Sequence, residues 1–270
     1  MNDIYDKLKN LKERLQGYQK AAVAFSGGVD STFLLKVAKD VLGDRCVAIT
    51  VRSKLFPQKE FAEAAKFCID IGVRQEVVDG DAVFSDEFTS NTPDRCYVCK
   101  RSFFSSVLSV VSAEGITTVC EGSNIDDLGD YRPGLRAISE LGIKSPLRDC
   151  GLTKREIRIL SAEFGLPTTD KPSMACLASR IPYGETITRK KLEMVEQAEN
   201  LLREMGFRQL RVRIHGEMAR IEVDPEYFDS VIKNREKILQ SFKDIGFSYI
   251  SLDLHGYRTG SMNEILSIPR

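Results

Sequence analysis

Residues 21–31 read Ala21-Ala22-Val23-Ala24-Phe25-Ser26-Gly27-Gly28-Val29-Asp30-Ser31. A short apolar run is stopped by two glycines, which suits a buried strand ending in a glycine loop. From Thr32 to Leu42 apolar residues return at helical spacing, so the stretch predicts strand, loop, helix. Glycines let a backbone turn sharply and approach an anion closely, and a helix start aims N–H groups and a partial positive charge at it. Ser26 and Ser31 add hydroxyl donors, and Asp30 can hold a magnesium ion on bound phosphates. No lysine follows the glycines, which excludes the G-x-x-x-x-G-K-S/T loop, and no G-x-G-x-x-G occurs. The competing reading is a tight strand-to-helix turn without a ligand.

Outward from this loop the pattern repeats. Ile4, Leu8, Leu11 and Leu15 mark an amphipathic helix before it. After it come strand candidates at Cys46 to Val51, Arg74 to Val78 and Thr117 to Glu121. Helices are expected from Phe61 to Ile71 and from about Lys100 to Ser112. Strands and helices alternate without hairpin signals, which predicts crossover connections and a mostly parallel α/β sheet covered on both faces. Thr153 and Glu156 form a capping box opening a helix to about Phe164. Thr168 to Gly184 reads as a long loop, of the kind that is usually functional or a linker. Beyond it, helix Thr188 to Met205, strands near Gln209 to Ile214, Ala219 to Val223 and Phe247 to Leu254, and the Asp224-Pro225 helix start predict a smaller α+β domain. The expected organisation is 1–170, a cysteine-bearing loop or linker 171–187, and 188–270.

The 270 residues carry 39 Lys plus Arg against 39 Asp plus Glu. That zero balance argues against a polybasic arm for nucleic acid or an anionic membrane. No apolar stretch approaches the ~20 residues needed to cross a bilayer. The start lacks a basic-then-apolar export pattern. Seven cysteines, an odd number, then suggest thiols kept reduced in a cytoplasmic protein.

Cys96-Tyr97-Val98-Cys99 is a Cys-x-x-Cys unit, and Cys176 lies in the long loop. Cys-x-x-Cys alone serves zinc, thiol exchange and iron–sulfur clusters alike. Three thiols without a fourth protein ligand fit a closed structural zinc site poorly, since His215 and His255 lie far along the chain. Three thiolates on a [4Fe–4S] cluster would leave one iron open to hold a sulfide. A Cys96–Cys99 redox pair with Cys176 as a separate nucleophile, or three structural thiols, are the alternatives. Cys46, Cys68 and Cys120 fall in apolar runs and read as small buried hydrophobes; Cys150 is undecided.

Two further segments bear polar chemistry. Gly122-Ser123-Asn124-Ile125-Asp126-Asp127-Leu128-Gly129-Asp130-Tyr131-Arg132 follows a predicted parallel strand, where open α/β sheets bind ligands. Asn124 can bond a nucleotide, Asp126, Asp127 and Asp130 can hold magnesium, and Arg132 can grip a phosphate or carboxylate. Lys171, Arg180, Arg211 and Arg213 form a basic set, with Arg211 and Arg213 on one face of a strand and Glu222 on its neighbour. An exposed charged face and an anionic-substrate site are both compatible with that set.

The string SGGVDS resembles the SGGxDS signature of the PP-loop ATP pyrophosphatases, which split ATP between the α- and β-phosphates. That resemblance implies that Ala24, Phe25, Ser26, Gly27, Gly28, Asp30, Ser31, Thr50, Arg52, Gly122 and Asn124 lie near ATP and Mg2+. The wider set NTPDRCYVCK (91–100), EGSNIDDLGDYRPG (121–134), KSPL (144–147), KPSMACLASRIPYG (171–184) and RVRIHGEMARIE (211–222) is similar to the LarE family of ATP-dependent sulfur transferases. The resemblance implies a pyridinium-3,5-biscarboxylic acid mononucleotide substrate for nickel-pincer cofactor synthesis. Each carboxylate would be adenylated, and sulfur would then displace AMP. It further implies substrate contacts from Asp126, Arg132, Ser179, Arg180, Arg211 and Arg213. The family has two sulfur mechanisms, a sacrificial cysteine at the Cys176 position and a [4Fe–4S] cluster on Cys96, Cys99 and Cys176. Three cysteines resemble the second, fed by sulfide or another sulfur source. By the same analogy the chain is a homo-oligomer. A tRNA-thiolating or amide-forming PP-loop ligase is the alternative enzyme, and a nucleotide sensor with structural zinc the non-enzymatic one.

Overall fold

The structure is a computed structural model and describes residues 4–129, 133–172 and 175–258. Two compact units emerge, one from residues 1–85 with 94–174 and the other from 86–93 with 175–270.

The first unit begins with α1 (Ile4–Gln16), β1 (Ala21–Ala24), α2 (Val29–Leu42), β2 (Cys46–Arg52), α3 (Gln58–Asp70) and β3 (Arg74–Asp79). The short α4 (Asp86–Thr89) belongs to the second unit. The first unit resumes with α5 (Arg95–Ala113), β4 (Thr118–Cys120), α6 (Gly134–Glu140), α7 (Pro146–Asp149) and α8 (Lys154–Glu163). Its sheet has the order β3-β2-β1-β4 and is parallel throughout, as the alternating pattern requires. Side chains alternate across it. Ala21, Val23, Cys46 and Ala48 join the core under α1, α2 and α8, whereas Ala22, Val47 and Ile49 join the core under α5 and α6. Phe33, Leu34 and Leu35 of α2 are fully buried, each stabilising the unit by about 1.5–3 kcal/mol relative to exposure. The strand order reverses direction between β1 and β4, and the crevice beyond the carboxyl ends of strands at such a reversal is where open α/β sheets take ligands.

Three helix starts differ from expectation. α3 begins at Gln58, behind Pro57 and three residues before the expected Phe61. α2 begins at Val29, not Thr32, so Asp30 and Ser31 lie in its first turn. α5 begins at Arg95, five residues before the expected start, behind Pro93 and Asp94, which suit a helix entry. Cys96 and Cys99 therefore stand on a helix, three residues apart on one face.

The second unit contains α9 (Arg189–Glu204), β5 (Leu210–His215), β6 (Met218–Val223), α10 (Phe228–Lys233), α11 (Arg235–Ile245) and β7 (Tyr249–Leu252). β5 and β6 form an antiparallel hairpin, and β7 adds parallel to β6. Asn91, buried and at φ 55°, donates its amide to the carbonyls of Ile181, Pro182 and Glu185 at 3.3, 2.7 and 2.9 Å. That side chain ties residues 86–93 to the second half of the long loop. Among the described residues no helix is long and apolar enough to cross a membrane.

Candidate active site

β1 ends in Ala24, and Phe25 continues the ladder by donating its N–H to Ile49 O at 2.8 Å. The chain then turns through Gly27 at φ 74°, a conformation that favours glycine. Gly28 caps α2 with no side-chain bond to the helix start, so the first-turn amides point out of the loop with no intrahelical acceptor. The two serines brace the turn. Their hydroxyls lie 3.1 Å apart, and Ser31 Oγ donates to Gly28 O at 3.2 Å. Thr50, buried in β2, donates its hydroxyl to Phe25 O at 3.0 Å and accepts from Gln75 Nε2 at 2.7 Å. Thr50 is thus a strut beneath the loop, while Arg52 is exposed at the end of β2.

The loop after β4 closes the other side. A Cβ on Gly122 would stand 3.0 Å from Ser31 N and 3.3 Å from the Asp30 carbonyl carbon, so only glycine lets this backbone lie against the start of α2. Buried Asn124 donates its amide to Asp30 Oδ1 at 3.3 Å. Its own N–H donates to Asp127 Oδ2 at 3.0 Å, and its Oδ1 accepts from Asp126 N at 3.0 Å. Asp126 receives the Lys154 N–H at 2.8 Å, so its carboxylate caps α8. Arg132 and Asp130 lie outside the described residues.

Two lysines, neither on the loop itself, complete this part. The Lys154 ammonium is paired with Asp30 Oδ2. The Lys171 ammonium donates to Gly27 O at 3.2 Å and is paired with Glu60 and Glu63 at 2.5 and 2.9 Å. Burial works against the Lys171 charge, but the two carboxylates hold it above the usual lysine range. The basic character of Lys171 was visible in the sequence, its seat on the loop carbonyl was not. Lys154 had no signal beyond its place at the first position of a capped helix.

The cysteines divide by burial. Cys46, Cys68 and Cys120 are sealed in the core, and burial pushes each thiol up to about 12. They are inert at neutral pH. Cys150 is half-buried, and burial raises its thiol as well. Cys96 is exposed, and Cys99 and Cys176 are partly exposed. No disulfide joins any of the seven. Among the described residues no three His, Cys, Asp or Glu side chains cluster as a metal site.

In the second unit Arg180 braces the Cys176 turn. Arg180 is fully buried and forms a two-pronged bond to Glu199, at 2.7 and 3.1 Å. Its remaining nitrogen donates to Ala175 O at 2.9 Å, Cys176 O at 3.2 Å and Ser179 Oγ at 2.9 Å. Ser179 Oγ in turn donates to Cys176 O at 2.7 Å. Arg180 and Ser179, expected at the substrate, are thus engaged in shaping the turn that bears Cys176. Arg211 and Arg213 do share one face of β5, and that face is buried rather than a solvated surface. Arg213 pairs with buried Glu222 at 3.0 Å and donates to Ser179 O at 2.9 Å. Burial, and then the charge of Arg180, pull the Arg211 guanidinium down to about 10. Burial opposes ionisation of Glu199, but Arg180 and then Arg203 keep its carboxyl below the ordinary range. Glu199 was legible as a charged residue on the apolar stripe of α9, beside Val195, Ala198 and Leu202. A buried carboxylate at such a place demands a buried cation.

Comparison with known proteins adds the following. Residues 1–96 match the family model for NAD synthase. An uncharacterised protein of Synechocystis sp. is 41% identical over 266 residues, covering 98% of this chain and 99% of its own. The pyridinium-3,5-bisthiocarboxylic acid mononucleotide synthase of Lactiplantibacillus plantarum is 36% identical over 268 residues, covering 99% of this chain and 97% of its own. An uncharacterised protein of Methanocaldococcus jannaschii is 30% identical, over 94% and 96% of the two chains.

Proposed function

The chain belongs to the LarE family, and from that membership we infer that it is an ATP-dependent sulfur-transferring enzyme that makes pyridinium-3,5-bisthiocarboxylic acid mononucleotide. The observation that carries this reading is the end-to-end likeness to the synthase, which spans both units. That likeness does not favour the amide-ligase and tRNA-thiolating readings.

The finer mechanism is proposed as follows. The first-turn amides of α2 and the Ser26–Ser31 pair bind the phosphates of ATP, where an anion meets aligned N–H groups. Asp30 suits a magnesium ion, which is ordinarily held by one or two carboxylates together with phosphate oxygens. Bound there, the ion would neutralise charge building on the leaving pyrophosphate. A substrate carboxylate oxygen attacks the α-phosphorus, the bond to the bridging oxygen breaks, and the electron pair leaves with pyrophosphate. The carboxylate, a poor electrophile, becomes an acyl-adenylate. Sulfur then attacks the carbonyl carbon and AMP departs. Arg211 and Arg213 provide positive charge for the anionic substrate.

The proposed ligands of a [4Fe–4S] cluster are Cys96, Cys99 and Cys176; like Cys150 they remain outside the sealed core that holds Cys46, Cys68 and Cys120, and among the described residues they do not cluster as a metal site. Such a cluster would supply an iron-bound sulfide for transfer. With Cys176 instead as sacrificial donor, the same turn would present its thiol to the acyl-adenylate. The test is to incubate anaerobically prepared protein with ATP, magnesium, sulfide and the biscarboxylate mononucleotide. The expected result is pyrophosphate release that depends on the mononucleotide, with oxygen replaced by sulfur in its mass spectrum. Release stimulated by an amine or by tRNA, and not by the mononucleotide, overturns the reading.

A further inference from the structure

Each of the two sheets has an edge strand on either side, and an unpaired edge is a template for a further strand. Three of these edges are covered or charged. Beside β4 the chain at Lys144 takes up the ladder, with Glu121 N donating to Lys144 O and Lys144 N to Val119 O, both at 2.8 Å. The outer edge of β5 is capped by Glu199, whose carboxylate accepts from Val212 N at 3.2 Å. β3 carries Arg74, Glu76 and Asp79, and charged side chains oppose pairing at an edge. β7 differs. Its residues are Tyr249, Ile250, Ser251 and Leu252, with no charge and no proline among them. Tyr249 N donates to Glu217 O at 3.4 Å and Asp253 N to Ile221 O at 2.9 Å, so residues 249, 251 and 253 turn their backbone groups toward β6. Ile250 and Leu252 therefore aim theirs outward. Among the described residues these outward groups have no partner. Apolar surface flanks them, since Tyr249 is 69% and Leu254 84% exposed.

The sequence of the strand says what fits there. In an antiparallel pair, residues directly opposite share a face of the sheet. A two-fold axis normal to the sheet keeps every side chain on its own face, so it must pass beside one residue of each copy. With the axis at Ser251, Ile250 stands opposite Leu252 of the second copy, and Leu252 opposite its Ile250. Each of these pairs exchanges two N–H to C=O bonds, which satisfies all the outward groups of both residues. Ser251 then faces its own counterpart, and Tyr249 faces Asp253 of the second copy. Apolar side chains meet apolar ones and no like charges stand opposite each other, the combination that stabilises cross-strand pairs. We propose that β7 is an interface between two copies of this chain, joined antiparallel about Ser251 so that two three-stranded sheets become one continuous sheet. The inference is independent of the nucleotide and sulfur chemistry.

The centre of the pairing supplies the test. In a non-hydrogen-bonded antiparallel pair the Cα atoms stand about 4.5 Å apart, within the span of a disulfide. Oxidation of Ser251→Cys with diamide should give a covalent dimer on a non-reducing gel. Its yield should stand well above those of the unmodified chain, whose own thiols set the background, and of Glu236→Cys, an exposed position on α11. Leu252→Lys should raise the dissociation constant of the pair by about 100-fold, because the lost apolar burial is counted once on each copy. Sedimentation at micromolar concentration should then show the mass of the assembly halved, with the circular dichroism of the unmodified chain retained. Should that variant unfold, the crosslink decides alone. A crosslink no stronger than that of Glu236→Cys overturns the proposal. So does an unmodified chain that sediments as a monomer, or an assembly whose mass a folded Leu252→Lys leaves unchanged.

Discussion

Asp30 is where the two sides of the crevice meet, since a residue of α2 takes donors from the β4 loop and from α8. Replacing it with alanine removes the carboxylate proposed for magnesium and leaves Asn124 and Lys154 without their acceptor. Asp30→Ala should lower pyrophosphate release by about 100-fold or more, with a stability loss of about 1–3 kcal/mol because the buried Asn124 amide loses its acceptor. An unaltered rate would remove the loop from the chemistry. Glu199 is the opposite kind of residue, completely buried and holding Arg180 and Arg203. Glu199→Ala leaves Arg180 a buried cation without its carboxylate, which should cost about 3–5 kcal/mol. The chain has no tryptophan, so urea unfolding followed by circular dichroism is the measurement. The pH dependence has a defined sign. The folded pKa of Glu199 lies below its unfolded value, so the stabilisation is fully present above the unfolded pKa of about 4.3 and is lost as pH falls through the folded pKa. The variant should lack that part of the acid limb.

Between elements, the decisive contact is backbone against backbone, where Gly122 lies on the first turn of α2. Gly122→Ala inserts a methyl 3.0 Å from Ser31 N, and one of the two loops must move. We expect a stability loss of about 1–3 kcal/mol from overpacking, together with weaker binding of the α,β-methylene analogue of ATP, read by calorimetry. Stability loss with undiminished binding would mean that the turn proposed to bind phosphate tolerates the shift. How much of this arrangement was readable from sequence depends on the range of the interactions. The helical spacing of Ile4, Leu8, Leu11 and Leu15 and the apolar strands at 21–25 and 46–51 are local signals, and α1, β1 and β2 form there. The short α6 and α7 were not anticipated, because four to seven residues give little periodicity to read. The pairing of Lys154 with Asp30 spans 124 residues, and no spacing rule connects positions so far apart. Asn91 likewise gives no hint in sequence that it anchors residues 181–185, since Asn91-Thr92-Pro93 reads as a turn.

At the scale of the whole chain, the seven thiols sort into a sealed set and an accessible set, and burial rather than spacing makes the division. Cys96 and Cys99 lie in the first unit and Cys176 in the second. If the three cysteines hold a cluster, Cys99→Ala should lose iron in anaerobically purified protein while ATP binding in the first unit persists, measured by metal analysis and calorimetry. Full iron retention would reject Cys99 as a ligand. The cluster and sacrificial mechanisms then differ in stoichiometry. A thiol that donates its own sulfur is consumed, so each chain transfers one atom and retains a dehydroalanine at 176. A sulfide held on iron is replaceable, so turnover continues while sulfide lasts and the polypeptide ends as it began. Arg180 bears on both outcomes, because it fixes the carbonyls of Ala175 and Cys176 whether the thiol is a ligand or a donor. Intact-protein mass spectrometry after several equivalents of product is therefore the discriminating measurement. For the three-cysteine chain we expect an unaltered polypeptide mass and more than one sulfur transferred per chain, whereas loss of sulfur from Cys176 at a ceiling of one transfer would establish self-sacrifice.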